Sequence, residues 1–197
     1  MEKLKILVGL SGGVDSAVSA YLLKQAWHEV HCGFMINYLD EENENCTTKI
    51  DLAEARKVAD FLGLPFFTFD YRDEYESRII DYIYREYEAG RTPNPDVFCN
   101  NLVKFDLFLE EALSLGYDKI ATGHYAQIEN NCIKTGLDPN KDQSYFLSRL
   151  SEFQVSKAIF PIGHLEKSEV RNIAKKANLP NAERKDSQGL CFIGKIP

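Results

Sequence analysis

Three stretches of this 197-residue chain carry residue types whose spacing can do chemistry. The first is Gly9-Leu10-Ser11-Gly12-Gly13-Val14-Asp15-Ser16, which follows a β-rich run. Paired glycines let a backbone bend sharply and bring its N–H groups close to a ligand. A helix starting just beyond adds unpaired donors and a dipole that favour phosphate. Ser11 and Ser16 can donate to phosphate oxygens, and Asp15 can hold Mg²⁺ or order the loop. The spacing GxGxxG is absent, which disfavours a dinucleotide. No lysine follows the second glycine, which disfavours γ-phosphate transfer. A plain strand-to-helix turn also uses glycines, but it has no need of the serines and the aspartate.

The other two stretches carry cysteines. Cys99 follows Pro93-Asn94-Pro95-Asp96 and lies in the first turn of a predicted helix, a position that favours thiolate over thiol. Helix starts can bring a cysteine pKa to roughly 3.5–7.5. Asp96 is either a helix cap or, since its charge opposes a nearby thiolate, a group that faces a substrate. Cys191 sits between Gly189 and Gly194 in a tail without periodicity. Two separated cysteines suit sulfur delivery followed by release, because exchange needs one thiolate to attack the other sulfur. The competing reading is that both are small buried hydrophobes. Cys32, inside a strand, is expected to be buried, and Cys46 and Cys132 carry no assignment. The five cysteines form no CxxC pair, which argues against a zinc ribbon or a disulfide framework. His124 reads as a hydrogen-bonded turn residue rather than a catalytic one.

These residues need a scaffold. Residues 5–10, 30–35, 65–69, 118–123 and 158–160 read as strands. Helices are expected from residue 14 to about 26, from a cap at Thr47 or Thr48 to Leu62, over 73–89, over 96–115 and over 168–177. Gly63 is expected to end the second helix. Residues 125–134 read as a hairpin turning at Asn130-Asn131, and 144–150 as helical. The acidic stretch 40–45 reads as a solvated loop. Strand–helix alternation of this kind predicts an α/β fold with a doubly wound, mostly parallel sheet of about five strands. Ligands of such sheets bind at the carboxyl ends of the strands, where every motif above falls.

Composition sets the outer limits. A content of 44% hydrophobic and 27% charged residues is that of a globular domain. No apolar run is long enough to cross a bilayer. No signal peptide is visible at Met1-Glu2-Lys3-Leu4-Lys5, so a cytoplasmic location is expected. A net charge of −7 is unhelpful for binding a polyanion. A nucleic acid would need a local basic surface, for which Arg91, Lys104, Lys141, Arg184, Lys185 and Lys195 are candidates.

Ser11-Gly12-Gly13-Val14-Asp15-Ser16 resembles the PP-loop of the N-type ATP pyrophosphatases, which split ATP between its α- and β-phosphates. Four further segments narrow the resemblance. They are residues 90–100 (GRTPNPDVFCN), 121–125 (ATGHY), 141–147 (KDQSYFL) and 186–194 (DSQGLCFIG). With the loop, in this order, they resemble the tRNA-specific 2-thiouridylase family. The resemblance implies adenylation of the C2 oxygen of a wobble uridine by ATP with Mg²⁺, followed by sulfur transfer. It implies that Cys191 carries a persulfide received from a sulfur-donor protein and that Cys99 resolves it. Residues Gly9 to Ser16 with Met35 and Gly123 map to ATP contacts. Asn94, Pro95 and Asp96 map to the target base, with Asp96 also a candidate catalytic group. Lys141, Asp142 and Gln143 map to tRNA. Members of that family continue into a central domain and a C-terminal β-barrel. The 197 residues are therefore expected to be the catalytic domain, with 181–197 a flexible tail bearing the second cysteine. Two alternatives stay open on the residues alone: another PP-loop ligase or synthetase, and a non-catalytic nucleotide-binding module.

Overall fold

A computed structural model describes residues 2–39 and 46–186. The acidic stretch 40–45, residues 187–194 of the second cysteine motif with Cys191, and Lys195 lie outside the described residues.

The central sheet has five parallel strands: β1 (Lys5–Gly9), β2 (Glu29–Ile36), β3 (Phe66–Asp70), β4 (Lys119–Ala121) and β7 (Ala158–Ile159), ordered β3-β2-β1-β4-β7. β1 lies at the centre, pairing Ile6 with Val30 on one side and with Lys119 on the other. Its residues 6–9 are all buried, as expected of a strand covered on both faces. The side chains alternate: Ile6 and Val8 join one apolar cluster, and Leu7 joins the other. Each such side chain contributes about 1.5–3 kcal/mol of transfer free energy.

Helices α1 (Val14–Gln25) and α2 (Thr48–Leu62), with a last helix over Lys167–Lys176, cover the first cluster. The opposite face is covered by two long helical rods, α3 (residues 72–88) and α4 (residues 95–114). Each rod widens in the middle, over Glu76–Ile80 and Asn100–Leu107. There the N–H of Asp81 reaches the carbonyl of Glu76, and that of Phe108 reaches Val103, five residues back. Turns of this width recur near functional sites.

A separate hairpin, β5 (Ala126–Glu129) with β6 (Cys132–Thr135), turns at Asn130 and Asn131. Their φ values of 50° and 60° are those asparagine tolerates best. The expected helix over 144–150 is only a single tight turn, Ser144–Leu147. A short helix, α5 (Glu152–Ser156), replaces its end, set by a reciprocal capping box between Ser151 and Gln154. The last helix, α6 (Lys167–Lys176), starts one residue earlier than its periodicity indicated. Among the described residues no helix is long and apolar enough to cross a membrane.

Candidate functional site

The loop 10–16 leaves β1 at the centre of the sheet. The Leu10 N–H donates to the Gly33 carbonyl at 2.8 Å, and the Leu10 and Val14 side chains are buried. Both ends of the loop are therefore held by the core, and only its backbone and hydroxyls face outward. Gly12 has φ +77°, and a Cβ there would lie 2.6 Å from the Asp51 carbonyl oxygen. Only glycine meets both conditions. Inside the turn, Ser16 Oγ accepts from the Ser11 N–H at 3.1 Å and donates to the Gly13 carbonyl at 3.1 Å. The first helical bond of α1 is Ala17 N–H to Gly13 at 3.3 Å. By helix geometry the N–H groups of Val14, Asp15 and Ser16 precede that bond and point out of the helix end. Such an arrangement can cradle a phosphate.

The loop after β4 closes the cradle from the other side. A Cβ on Gly123 would meet the Ser16 amide nitrogen at 2.7 Å and the Asp15 carbonyl carbon at 2.8 Å. Backbone thus lies directly on backbone where the strand order reverses between β1 and β4, the usual ligand crevice of such sheets. His124 beside it is buried, and its Nδ1 lies 2.7 Å from the Thr122 hydroxyl. Burial, with a smaller contribution from Lys104, keeps its pKa well below the usual histidine value. It is a neutral structural residue.

Around the cradle runs a network of charges drawn from distant parts of the chain. The Asp15 carboxylate receives Lys167 Nζ at 2.7 and 2.9 Å and the Tyr125 hydroxyl at 2.9 Å. Lys167 also contacts Asp186 at 2.8 Å, and Asp186 receives Lys141 at 3.1 Å and Arg171 as well. Burial raises the pKa of Asp186, but hydrogen bonds from Lys167 and then Lys141 outweigh it and hold the group at about 2. Burial first and then Asp15 push the Tyr125 hydroxyl far up, so it stays a donor. Arg184 donates to the Gly12 carbonyl at 3.1 Å and pairs with Asp51, while Asn181 donates to the same carbonyl at 2.8 Å.

This network bears on four expectations. Asp15, expected to hold Mg²⁺ or to order the loop, accepts from Lys167 and Tyr125. Among the described residues no three His, Cys, Asp or Glu side chains gather as a metal site. The segment 181–186 is no loose tail, because Asn181 and Ala182 are buried against the phosphate loop. Three of the six residues expected to form a basic surface are engaged in ion pairs: Arg91 with Glu86, Lys141 with Asp186, Arg184 with Asp51. Asp142 and Gln143, expected to contact tRNA, brace loops in this structure. Asp142 accepts from the Gly136 and Ser144 N–H groups, and Gln143 accepts from that of Tyr125. Lys167 and Arg171 were missed by sequence reasoning; their i, i+4 spacing was the available signal for a shared helix face.

The cysteine segment is built differently. Asn94, not Asp96, is the N-cap of α4, its side chain accepting from the Val97 N–H at 3.3 Å. Pro95 follows at the first helical position, where its missing N–H costs nothing. The Asn94 N–H itself donates to the Tyr82 hydroxyl at 3.1 Å. Asp96 is half-buried, and its carbonyl accepts from the Asn100 side chain at 3.0 Å. Cys99, expected at an accessible helix start, is 1% exposed within the cluster that holds Tyr75, Ile79 and Val103. Met35, mapped to ATP, is buried in the same cluster, its Cε 3.3 Å from where a Gly9 Cβ would stand. Cys32 is buried as expected, and burial pushes its thiol up to about 12.

Comparison with known proteins adds identity to this geometry. Residues 4–195 match the family model described as tRNA methyl transferase HUP domain. The chain is 55% identical over 203 residues to the tRNA-specific 2-thiouridylase MnmA of Christiangramia forsetii, covering 98% of this chain and 51% of that protein. To the protein of the same name from Delftia acidovorans it is 51% identical, covering 100% of this chain and 55% of that protein. The chain therefore spans about half the length of the curated relatives it matches. A solved structure, the U34-tRNA thiolase NcsA from Methanococcus maripaludis with its [4Fe-4S] cluster, superposes with a TM-score of 0.58 at 21% identity. The superposition covers 91% of this chain and 59% of that one. At that identity the likeness speaks for the fold.

Proposed function

The chain belongs to the tRNA methyl transferase HUP domain family, and from that membership we propose that it is the ATP-activating and sulfur-transferring part of a cytoplasmic tRNA 2-thiouridylase. The observation that carries the reading is the phosphate cradle at the β1–β4 crossing, found in a chain 55% identical to a protein named for this activity. ATP lies with its phosphates over residues 11–16, held by the helix-end N–H groups and the serine hydroxyls. Mg²⁺ would supply charge neutralisation on the phosphates, with Asp15, which accepts from Lys167 here, the candidate residue beside it.

In this reading the C2 oxygen of a tRNA uridine attacks the α-phosphorus and pyrophosphate departs, leaving that oxygen bonded to AMP. The terminal sulfur of a persulfide on Cys191, received from a sulfur-donor protein, attacks C2 and expels AMP with the oxygen. The Cys99 thiolate then attacks Cys191 Sγ, forming a Cys99–Cys191 disulfide and freeing the C2 thiocarbonyl. Asp96 and Asn94, at the exposed start of α4, lie on the path of the base and position it. Cys99 begins from a buried position, so its step needs the first turn of α4 to shift.

The test is pyrophosphate release from ATP and Mg²⁺, with and without an unmodified tRNA bearing a wobble uridine, on the wild type and on Cys191→Ala. Release that requires tRNA and survives Cys191→Ala supports adenylation ahead of sulfur transfer. Release that is absent both in this chain and in a chain of the relatives' full length overturns the assignment. Release indifferent to tRNA points to another PP-loop ligase.

A further inference from the structure

Lys141, Lys167 and Arg171 come from two separate stretches of chain and converge on one carboxylate, Asp186. Lys167 also bridges this group to Asp15 in the phosphate loop. Three cations thus face two carboxylates, an excess of positive charge beside a cradle that already fits phosphate. The carboxylate is held by these side chains and not by regular backbone structure: Asp186 lies in irregular chain, with 36% of its side chain exposed. The anchors of its segment lie upstream, at Asn181 and Arg184, and do not depend on it. Lys167, by contrast, is only 14% exposed and fixed at the start of α6. A fixed, mostly buried cation shared between the loop and a displaceable carboxylate is what a polyanion site looks like when a side chain fills it.

We propose that Lys141, Lys167 and Arg171 form the subsite for the β- and γ-phosphates of ATP, and that the Asp186 carboxylate occupies it as an internal anion until the polyphosphate displaces it. The proposal rests on the reading of the loop as an ATP site. Pyrophosphate offers several charged oxygens to three donors, where the carboxylate offers two. Arg171 meets phosphate with a planar fork, and the lysines act as point charges. Asp186 costs affinity, since a ligand binds only the fraction of molecules in which the subsite is open. In return it keeps three cations compensated while the site holds no nucleotide.

The test measures binding of inorganic pyrophosphate and, separately, of AMP by calorimetry on the intact chain. The variants are Asp186→Asn, Lys141→Gln and the control Glu183→Gln. Glu183 is an exposed carboxylate three residues away that pairs with Lys175 at 3.2 Å, so it reports the generic effect of one negative charge. With Asp186 seated nine-tenths of the time, Asp186→Asn tightens pyrophosphate about tenfold. Lys141→Gln weakens pyrophosphate, AMP affinity is unmoved in both, and Glu183→Gln changes neither ligand. The inference is overturned if Asp186→Asn leaves pyrophosphate affinity unchanged or lower, or if Glu183→Gln has an equal effect. The ATP reading is judged separately. AMP and ATP bound with no response of pyrophosphate to Asp186→Asn sinks the inference alone. Pyrophosphate tightened by Asp186→Asn in a chain that binds neither nucleotide sinks the ATP reading, and with it the assignment of the subsite to ATP, while the displacement of Asp186 by a polyphosphate stands.

Discussion

The phosphate end of the sheet and the cysteine-bearing start of α4 stand in opposite states of readiness. Around residues 10–16 the donors are already aimed, the loop is bonded to itself through Ser11 and Ser16, and the loop after β4 closes against it at Gly123 with no room for a side chain. At α4 the backbone is equally well capped, yet Cys99 is turned into the core. In the proposed reading the first arrangement is a binding site whose backbone donors are set before its ligand arrives. The second keeps the Cys99 thiol inside the core, so the proposed sulfur chemistry requires the helix end to move. A group that must stabilise charge gains from being fixed beforehand, whereas a thiol that must act once gains from being hidden until needed.

The strongest way to break this contrast is to unfix the phosphate end. Gly123→Ala puts a methyl group 2.7 Å from the Ser16 amide nitrogen, and the obstacle is backbone on both sides. The start of α1 must withdraw, at a folding cost of about 1–3 kcal/mol. The expected outcome is a folded protein, judged by circular dichroism, whose ATP affinity by calorimetry falls at least about a hundredfold, or some 2.7 kcal/mol. Wild-type affinity in this variant would show that the cradle is more pliable than its contacts indicate.

The two ends also differed in how much of them the sequence disclosed. The phosphate loop was legible because its chemistry is local: glycines, serines and a helix start within eight residues. The five strands and their parallel order followed from the alternation of apolar runs with amphipathic helices. The charge network was not legible, because Lys167 reaches Asp15 across 152 positions and nothing in either neighbourhood names the other. The segment 181–186 looked loose because side-chain hydrogen bonds hold it, and these leave no periodic trace. Burial of Cys99 was hidden by the same helix start that suggested a reactive thiol, since a first turn can face either way. The widened turns over 76–80 and 100–107 leave the apolar pattern nearly helical, so they too passed unseen.

A smaller effect tests the hidden thiol directly. Cys132 is exposed on β6, while Cys99 is 1% exposed. Under brief treatment with a maleimide, followed by peptide mapping, Cys99 is expected to label on the order of a hundredfold more slowly than Cys132, because it reacts only through local opening. In denaturant the two rates should converge. Equal rates in the native protein would mean that the first turn of α4 opens freely, and the contrast between the two ends would collapse.

The finest separation concerns Asn94, where the two ends nearly share a residue type and a role. Its side chain caps α4 through the Val97 N–H, which accounts for it without any substrate. Asn94→Ala should therefore cost about 1 kcal/mol of stability in urea unfolding, and Asn94→Ser, which keeps a capping oxygen, only a few tenths. If capping were its whole task, tRNA-dependent pyrophosphate release would track stability, and Asn94→Ser would behave as wild type. The proposed contact with the base requires more. A serine is too short to keep an amide against a nucleobase, so release should fall severalfold in Asn94→Ser while the unfolding midpoint holds. That split would place Asn94 with the preassembled residues of the phosphate end, fixed by the helix it caps and already facing the substrate, only five positions from a thiol that is not.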